Sequence, residues 1–342
     1  MKTMDVAVYY NNHDIRIEQR PIPTITDNEL LVKVKASGIC GSDVMEWYRI
    51  KKAPRILGHE IAGDIVSVGA NIKTYKTGDR VFVSHHVPCN TCDYCLHGQQ
   101  TLCRTLHTTN FDPGGFAQYL RVPAINVDRG VFSLPDSMSY DEAVFIEPFA
   151  CVIRGLRQAG FTAGQRILIL GSGISGLLFI KLAKAWGAHQ IIATDITEFR
   201  LQAAKRSGAD ITINARDDVP TAVKNATAGR LADLAITCTG APPAVQQALS
   251  SVRPGGTVLF FAPTEPGAKI PCDFFDVWNR QLRIVSTYAG SPQDITEAVN
   301  LLARKQVGVD DLITHRLPLR EAAKGFALVA NAQDSIKVIL EP

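Results

Sequence analysis

The chain has 342 residues, of which 46% are hydrophobic and 20% charged, with a formal net charge of +3. That length exceeds one ordinary core and predicts about two domains. The composition excludes a disordered or fibrous chain, and the weak positive balance, with no block of five or six like charges, gives no case for a nucleic-acid partner.

The opening residues, MKTMDVAVYYNNHD, carry no apolar h-region, and no stretch of 18 apolar residues follows. The expectation is a cytoplasmic protein with no membrane partner. Residues 30–36 alternate apolar and polar at period two, as a half-buried strand does. Residues 62–69 and 77–83 repeat the pattern between glycine turns. Between them and this first strand lie Arg49, Lys51, Lys52 and Arg55, a basic cluster expected on solvated surface. His85 and His86 precede a cysteine-rich stretch, either at a strand end or approaching a cleft. Residues 115–122 read as a further strand, so the first 150 residues look β-rich.

Near residue 150 the pattern changes. Residues 166–170 are wholly apolar, a glycine loop follows, and residues 177–186 have helical spacing. Further apolar strands are expected at 190–194, 211–214, 233–237, 257–261 and 283–287. Apolar strands alternating with helices predict an α/β domain with a parallel, doubly wound sheet. A helix at 294–304 and a strand at 335–340 end the chain. The expected domains are residues 1–150, completed by 291–342, and residues 151–290.

Gly171-Ser172-Gly173-Ile174-Ser175-Gly176 fits G-x-G-x-x-G between a strand and a helix, with Asp195 at the end of the next strand. In that context the loop predicts a dinucleotide site. Gly171 permits a tight turn, Gly173 admits a pyrophosphate, and Gly176 lets helix and strand pack. Asp195 can accept hydrogen bonds from ribose hydroxyls and repel a 2′-phosphate, which predicts NAD rather than NADP. Arg200, a turn into the following helix, works against that preference.

Cys89, Cys92, Cys95 and Cys103 follow C-x2-C-x2-C-x7-C. Four thiolates in one polar loop predict a closed, structural zinc site. An iron–sulfur cluster and a nucleic-acid zinc module are the competing readings. Cys151, Cys238 and Cys272 are expected to be buried thiols. Cys40, His59 and Glu147 offer a thiolate, an imidazole and a carboxylate, a good set for an open zinc site.

Gly58-His59-Glu60-x2-Gly63-x5-Gly69, Gly38-Ile39-Cys40-Gly41-Ser42-Asp43, the four-cysteine loop, Glu147-Pro148 and the glycine loop occur in one order along the chain. Together they resemble the zinc-dependent medium-chain alcohol dehydrogenases, in the sorbitol and threonine dehydrogenase branch. The resemblance implies a GroES-like catalytic domain with a Rossmann cofactor domain and two Zn²⁺ per subunit, one catalytic and one structural. It implies a homodimer or homotetramer that oxidises a secondary alcohol to a ketone with NAD. The catalytic zinc would be held by Cys40, His59 and either Glu60 or Glu147. Zinc there would lower the pKa of the alcohol oxygen, and Ser42 is implied as the proton acceptor.

The chain departs from the branch in two places. Relatives usually carry a histidine where Met45 stands, and methionine cannot carry a proton. The remaining routes are Ser42 to ribose and water, or Glu46. Sorbitol dehydrogenases also carry an Arg-Tyr pair where this chain has Ser286-Thr287-Tyr288, which argues against sorbitol itself. Glu46, Trp47 and Tyr48 would suit a polyol, a cyclitol, a sugar acid or an amino alcohol. A zinc-free reductase and a non-catalytic binding protein on the same scaffold are the alternative functions.

Overall fold

A computed structural model describes residues 2–342. The chain divides into two compact units. One comprises the residues up to Ala150 together with Gly290–Pro342, and the other Cys151–Ala289.

The first unit is built on two sheets. A three-stranded sheet sets Thr3–Asn11 between Asp14–Pro21 and Arg55–Ile56. A seven-stranded sheet runs in the order Ile313–Pro318, Lys337–Glu341, Leu30–Ile39, Glu60–Val68, Arg80–Val83, Val131–Ser133, and Tyr119–Val122 pairs separately with Leu30–Ile39. Leu30–Ile39 alternates in burial up to Ala36 and is then buried continuously. Its far end is covered because Lys337–Glu341 pairs beside it, with Val338 opposite Ile39 and Ile339 opposite Gly38. Glu60 lies opposite Gly38 on the other side. Two segments distant in sequence therefore meet at the end of the strand that leads into Cys40. Ala7, Tyr9, Ile39, Leu57, Phe116, Phe326, Val338 and Leu340 form the core beneath.

The second unit is a six-stranded parallel sheet in the order Ile211–Asn214, Gln190–Asp195, Arg166–Leu170, Ala232–Thr237, Val252–Phe260, Arg283–Ser286. This is the doubly wound order, which reverses beside the first strand of the unit. Leu168, Leu170, Ile192, Ala235 and Val258 are wholly buried, as strands covered on both faces require.

Several expected elements differ. The strand expected at 77–83 begins at Arg80, because Gly78 has φ +93° and belongs to a turn. Residues 115–118 are not in a regular strand. Gly115 and Phe116 instead donate to the Gly58 and Leu57 carbonyls at 3.0 Å and back the turn that carries His59. The N-terminal hairpin, the strand Ile313–Pro318 and the helix Ala322–Asn331 were not foreseen. Cys151, Cys238 and Cys272 form no disulfide and are partly exposed rather than buried. Among the described residues no helix is long and apolar enough to cross a membrane.

Candidate metal centres and cofactor loop

Cys40 ends the strand Leu30–Ile39 and caps the single turn Gly41–Val44. Its backbone N–H donates to Asp43 Oδ2 at 3.1 Å, and its Sγ accepts from the Ser42 N–H at 3.4 Å. His59 follows Gly58, whose φ of +90° lets the chain turn before Glu60 enters its strand. One ligand atom from each of Cys40, His59 and Glu60 lies within 4.8 Å of the others. Glu147, in the first turn of the helix Ile146–Ala159, is not among these three.

Each member of the trio is held by a neighbour. Asp43 Oδ1 lies 3.4 Å from His59 Nδ1 and is fully buried. A carboxylate on Nδ1 leaves Nε2 as the nitrogen free to bind a metal. Burial alone would raise the Asp43 pKa, but His59, Arg49 and the Cys40 N–H hold it below the usual carboxylate range. Burial works against a charged His59, yet Asp43 and Cys40 raise its pKa well above that of an ordinary imidazole. The carboxylate and sulfur that favour a proton at this spot also favour a metal cation.

Glu60 is fully buried, and one oxygen pairs with Lys337 Nζ, which is equally buried. Its other oxygen, Oε1, is buried with no hydrogen-bond partner. A lone carboxylate oxygen of this kind is costly unless a cation or donor reaches it. Zinc fits that need, and the S, N, O donor set suits it. Gly38 makes the pair possible, since a Cβ there would collide with Glu60 Oε2 and crowd Lys337. Lys337 also lies over the Phe145 ring, 5.6 Å from its centroid.

Ser42 Oγ accepts from Arg49 Nη2 at 2.9 Å, and its carbonyl accepts from Arg49 Nε at 2.8 Å. Arg49 Nη2 is also 3.4 Å from Asp43 Oδ1. Arg49 is therefore not solvated surface as expected. Its short helix, Glu46–Arg49, turns it back onto the residues after Cys40. Arg55 is half-buried, whereas Lys51 and Lys52 are exposed. Glu46 Oε1 lies 3.4 Å from the Asn12 N–H. His85 packs on His59 with ring centroids 5.0 Å apart and stacks on His86 at 3.7 Å. Burial, reinforced by the neighbouring cations, pushes the His85 pKa well below the usual range and that of His86 to about 3. Both rings are neutral at pH 7. His315 Nδ1 meets Thr314 Oγ1 at 3.0 Å.

The sulfur atoms of Cys89, Cys92, Cys95 and Cys103 all lie within 4.8 Å of one another. Cys92 and Cys95 are 3.5 Å apart, too far for a disulfide. Backbone N–H groups aim at these sulfurs, Cys89 at Cys103 Sγ (3.3 Å) and Cys92 at Cys89 Sγ (3.2 Å). Hydrogen bonds from Thr91 and Cys92 lower the Cys89 pKa. Beyond the cysteines, Leu106 is the only fully buried apolar residue in this cluster, so the loop has little core of its own.

In the second unit, the glycine loop joins Arg166–Leu170 to the helix Ile174–Ala185, which begins within the motif. Gly171 has φ +98°, and a Cβ on Gly176 would collide with the Gly171 carbonyl oxygen. A Cβ on Gly173 would meet nothing nearer than Arg200 Nη1 at 3.8 Å, so the loop opens there. Asp195 Oδ2 accepts from the Ser172 N–H at 2.9 Å, and Oδ1 accepts from the Thr197 N–H at 3.0 Å. Arg200 reaches back to the loop, and its Nε is buried without a partner. An open loop beside an unmatched guanidinium N–H fits a bound pyrophosphate.

Sequence reasoning named Cys40, His59 and Glu60 but missed Lys337, Asp43 as a partner of His59, and Arg49. The G-S-D after Cys40 was the available signal for Asp43. Lys337 gave none.

Residues 26–136 match the alcohol dehydrogenase GroES-like domain family, and residues 175–304 match the zinc-binding dehydrogenase family. The chain is similar to a sorbitol dehydrogenase of Gallus gallus, 32% identical over 98% of this chain and 95% of that protein. A sorbitol dehydrogenase of Bacillus subtilis (strain 168) is 41% identical over 75% of this chain and 74% of its own. A zinc-binding dehydrogenase of Sinorhizobium meliloti 1021 bound to NADP is similar in structure, with a TM-score of 0.90, 29% identity and 100% of each chain covered. The chain belongs to the zinc-dependent medium-chain alcohol dehydrogenase family, in its sorbitol dehydrogenase-like branch.

Proposed function

We propose that this enzyme oxidises a polyhydroxylated secondary alcohol to its ketone with NAD, using zinc held by Cys40, His59 and Glu60. The observation that carries the reading is Glu60 Oε1, a buried carboxylate oxygen without a partner beside a thiol and an imidazole. The same trio counts against a zinc-free reductase. Zinc at that place would supply Lewis-acid polarisation of an alcohol oxygen. The nicotinamide would supply the hydride acceptor.

The chain's own residues do the rest. Asp43 orients His59, and Lys337 orients Glu60. Ser42 takes the proton of the reacting hydroxyl. A serine hydroxyl has two acceptor positions, and Arg49 fills one, which fixes the other for the substrate. Met45 leaves the onward proton to ribose or water. Glu46, engaged with the Asn12 N–H, is the less direct route. The Gly171–Gly176 loop binds the pyrophosphate, Asp195 the ribose, and Arg200 a phosphate. Cys89, Cys92, Cys95 and Cys103 hold a second zinc that replaces a core. Eight cysteines with no disulfide among them fit a cytoplasmic location.

A homo-oligomer is the assembly that best uses the second unit's edge. The outer strand Arg283–Ser286 is unpaired on one side, and Phe274, Phe275 and Trp278 are 76%, 68% and 72% exposed nearby in sequence. Two such edges can pair isologously.

The test is NADH formation at 340 nm with a panel of polyols, cyclitols, sugar acids, amino alcohols and 2-alkanols. Turnover lost after chelation and in His59→Ala supports the proposal. Full turnover in the chelated protein would overturn it.

A further inference from the structure

Asp195 ends the strand Gln190–Asp195 and is buried. Its carboxylate is largely taken up by its own chain. Oδ2 accepts from the Ser172 N–H at 2.9 Å, and Oδ1 accepts from the Thr197 N–H at 3.0 Å and the Thr197 hydroxyl at 3.1 Å. A carboxylate offers about four acceptor positions, two on each oxygen. Both positions on Oδ1 are filled, and a single one remains on Oδ2. Holding both hydroxyls of a ribose would need two. Asp195 therefore has room for one, and its donors draw off part of the charge that would repel a 2′-phosphate.

The neighbouring strand brings an arginine to the same place. Asn214 pairs with Asp195 in the parallel sheet, and the Ala215 N–H donates to the Asp195 carbonyl at 2.9 Å. Arg216 follows directly. Its backbone N–H donates to Asn214 Oδ1 at 3.0 Å, and its Nη1 donates to the Ile196 carbonyl at 2.8 Å. The guanidinium is thus anchored on the residue next to Asp195. Arg216 is exposed, and that bond uses one of the five N–H donors of a guanidinium. Asp218 is committed to capping the helix Val219–Ala226, where it accepts from the Thr221 N–H at 3.2 Å. Arg200 comes from the helix Glu198–Ser207, with Nη1 3.8 Å from where a Gly173 Cβ would stand. Its Nε is buried without a hydrogen-bond partner. Among the described residues neither arginine takes part in an ion pair. Two unpaired cations beside one nearly saturated carboxylate leave the ribose end of the loop short of negative charge.

We propose that Arg216, supported by Arg200, forms a subsite for the 2′-phosphate of NADP, so that the cofactor site takes NADP as well as NAD. A guanidinium held at one nitrogen still presents a fork of N–H donors that matches phosphate oxygens. Arg200 lies against the glycine loop, where the pyrophosphate belongs, so Arg216 is the member that meets the 2′-phosphate. The inference rests on the reading that Asp195 and the Gly171–Gly176 loop hold a dinucleotide.

The experiment separates the 2′-phosphate from the rest of the cofactor. ADP and 2′,5′-ADP are titrated calorimetrically into the zinc-loaded, full-length protein and into Arg216→Ala and Arg216→Lys. The unmodified protein should bind 2′,5′-ADP within about tenfold of ADP. Arg216→Ala should lower the ratio of 2′,5′-ADP affinity to ADP affinity by about tenfold, and Arg216→Lys by less, because a lysine keeps the charge without the fork. Using the ratio cancels any general loss of folded protein. With a polyol substrate, Arg216→Ala should reduce kcat/KM for NADP relative to NAD by a similar factor, chiefly through KM. A ratio unchanged in Arg216→Ala, or ADP binding without any 2′,5′-ADP binding, overturns the subsite and leaves the dinucleotide reading standing. Binding of neither nucleotide removes that reading and this inference with it.

Discussion

Lys337 and Glu60 lie 277 residues apart and form an ion pair sealed from solvent. The pair exists because Lys337–Glu341 and Glu60–Val68 flank the same strand, Leu30–Ile39. Removing one member of a buried pair costs roughly 3–5 kcal/mol, because the other charge is left uncompensated. Lys337→Met should therefore destabilise the metal-stripped protein by about that much. Zinc on Glu60 would supply the missing positive charge, so the loss should be smaller in the loaded protein. Calorimetric melting with and without chelator should show the gap between the two forms widen in the variant. An unchanged gap would mean that Glu60 does not meet the metal.

The two donor sets should separate by metal content. Cys40→Ser should lower zinc from about two to about one per subunit and remove turnover while leaving the fold intact. Cys95→Ser should lower zinc by the same amount but act first on stability, because the four-cysteine loop has little core to fall back on. Elemental analysis with a melting curve distinguishes the two. Equal loss of stability in both variants would contradict this division of labour.

Ser42 and Arg49 should act as one unit. Ser42→Ala should reduce kcat by about 10²–10⁴, the usual range for a lost proton-transfer group. Arg49→Met should give part of that loss, and combining the two should add little to Ser42→Ala alone. Fully additive losses would show that Arg49 works independently of Ser42.

Cofactor choice should turn on Asp195. The carboxylate is fixed by Ser172 and Thr197 at the end of its strand, with Arg200 against Gly173. Asp195→Ser removes the negative charge and leaves Arg200, so the ratio of kcat/KM for NAD over NADP should fall by about tenfold or more. A ratio that does not move would assign selectivity elsewhere.

Acid stability should depend on Asp233. Burial would raise its pKa, but Arg166 and Arg253 hold it down at about 2, below the usual 3.8. A depressed carboxylate stabilises the fold above its unfolded pKa, and that stability is lost as pH falls from about 4 through 2. The contribution is about 2 kcal/mol. Asp233→Asn should lose it at pH 7 and flatten the acid limb between pH 4 and 2 in denaturant titrations. An unchanged acid limb would rule the linkage out.

What could be read from the sequence was what local spacing encodes. The Gly171–Gly176 loop needs a turn, an opening and a close packing contact in fixed order, and each left a glycine. Four cysteines in one loop announce their own convergence. Cys40 and His59 lie in short glycine-flanked motifs, so they too were legible. Lys337 was not, because its role comes from strand pairing across nearly the whole chain and a lone lysine in an apolar strand looks like an edge residue. Arg49 and Arg55 were misread for a related reason. Four basic residues in seven positions suggest a solvated face, but the turn at Glu46–Arg49 folds one inward and pairing with Thr3–Asn11 partly buries another. Glu147 matched the family motif, yet Glu60 is the carboxylate that converges with Cys40 and His59.

The strand that carries Lys337 also sets a schedule. A ribosome adding roughly 5–20 residues per second delivers Lys337 about a quarter of a minute to a minute after Glu60. During that interval Leu30–Ile39 and Glu60–Val68 can pair, but Glu60 has no buried cation beside it. The nascent chain therefore carries Glu60 without its partner while the whole second unit is synthesised, and premature termination in that span would release a chain with an uncompensated carboxylate in its core. Completion of the Glu60–Lys337 pair thus waits until translation has passed residue 337, whereas the four cysteines, contiguous in sequence, are together long before.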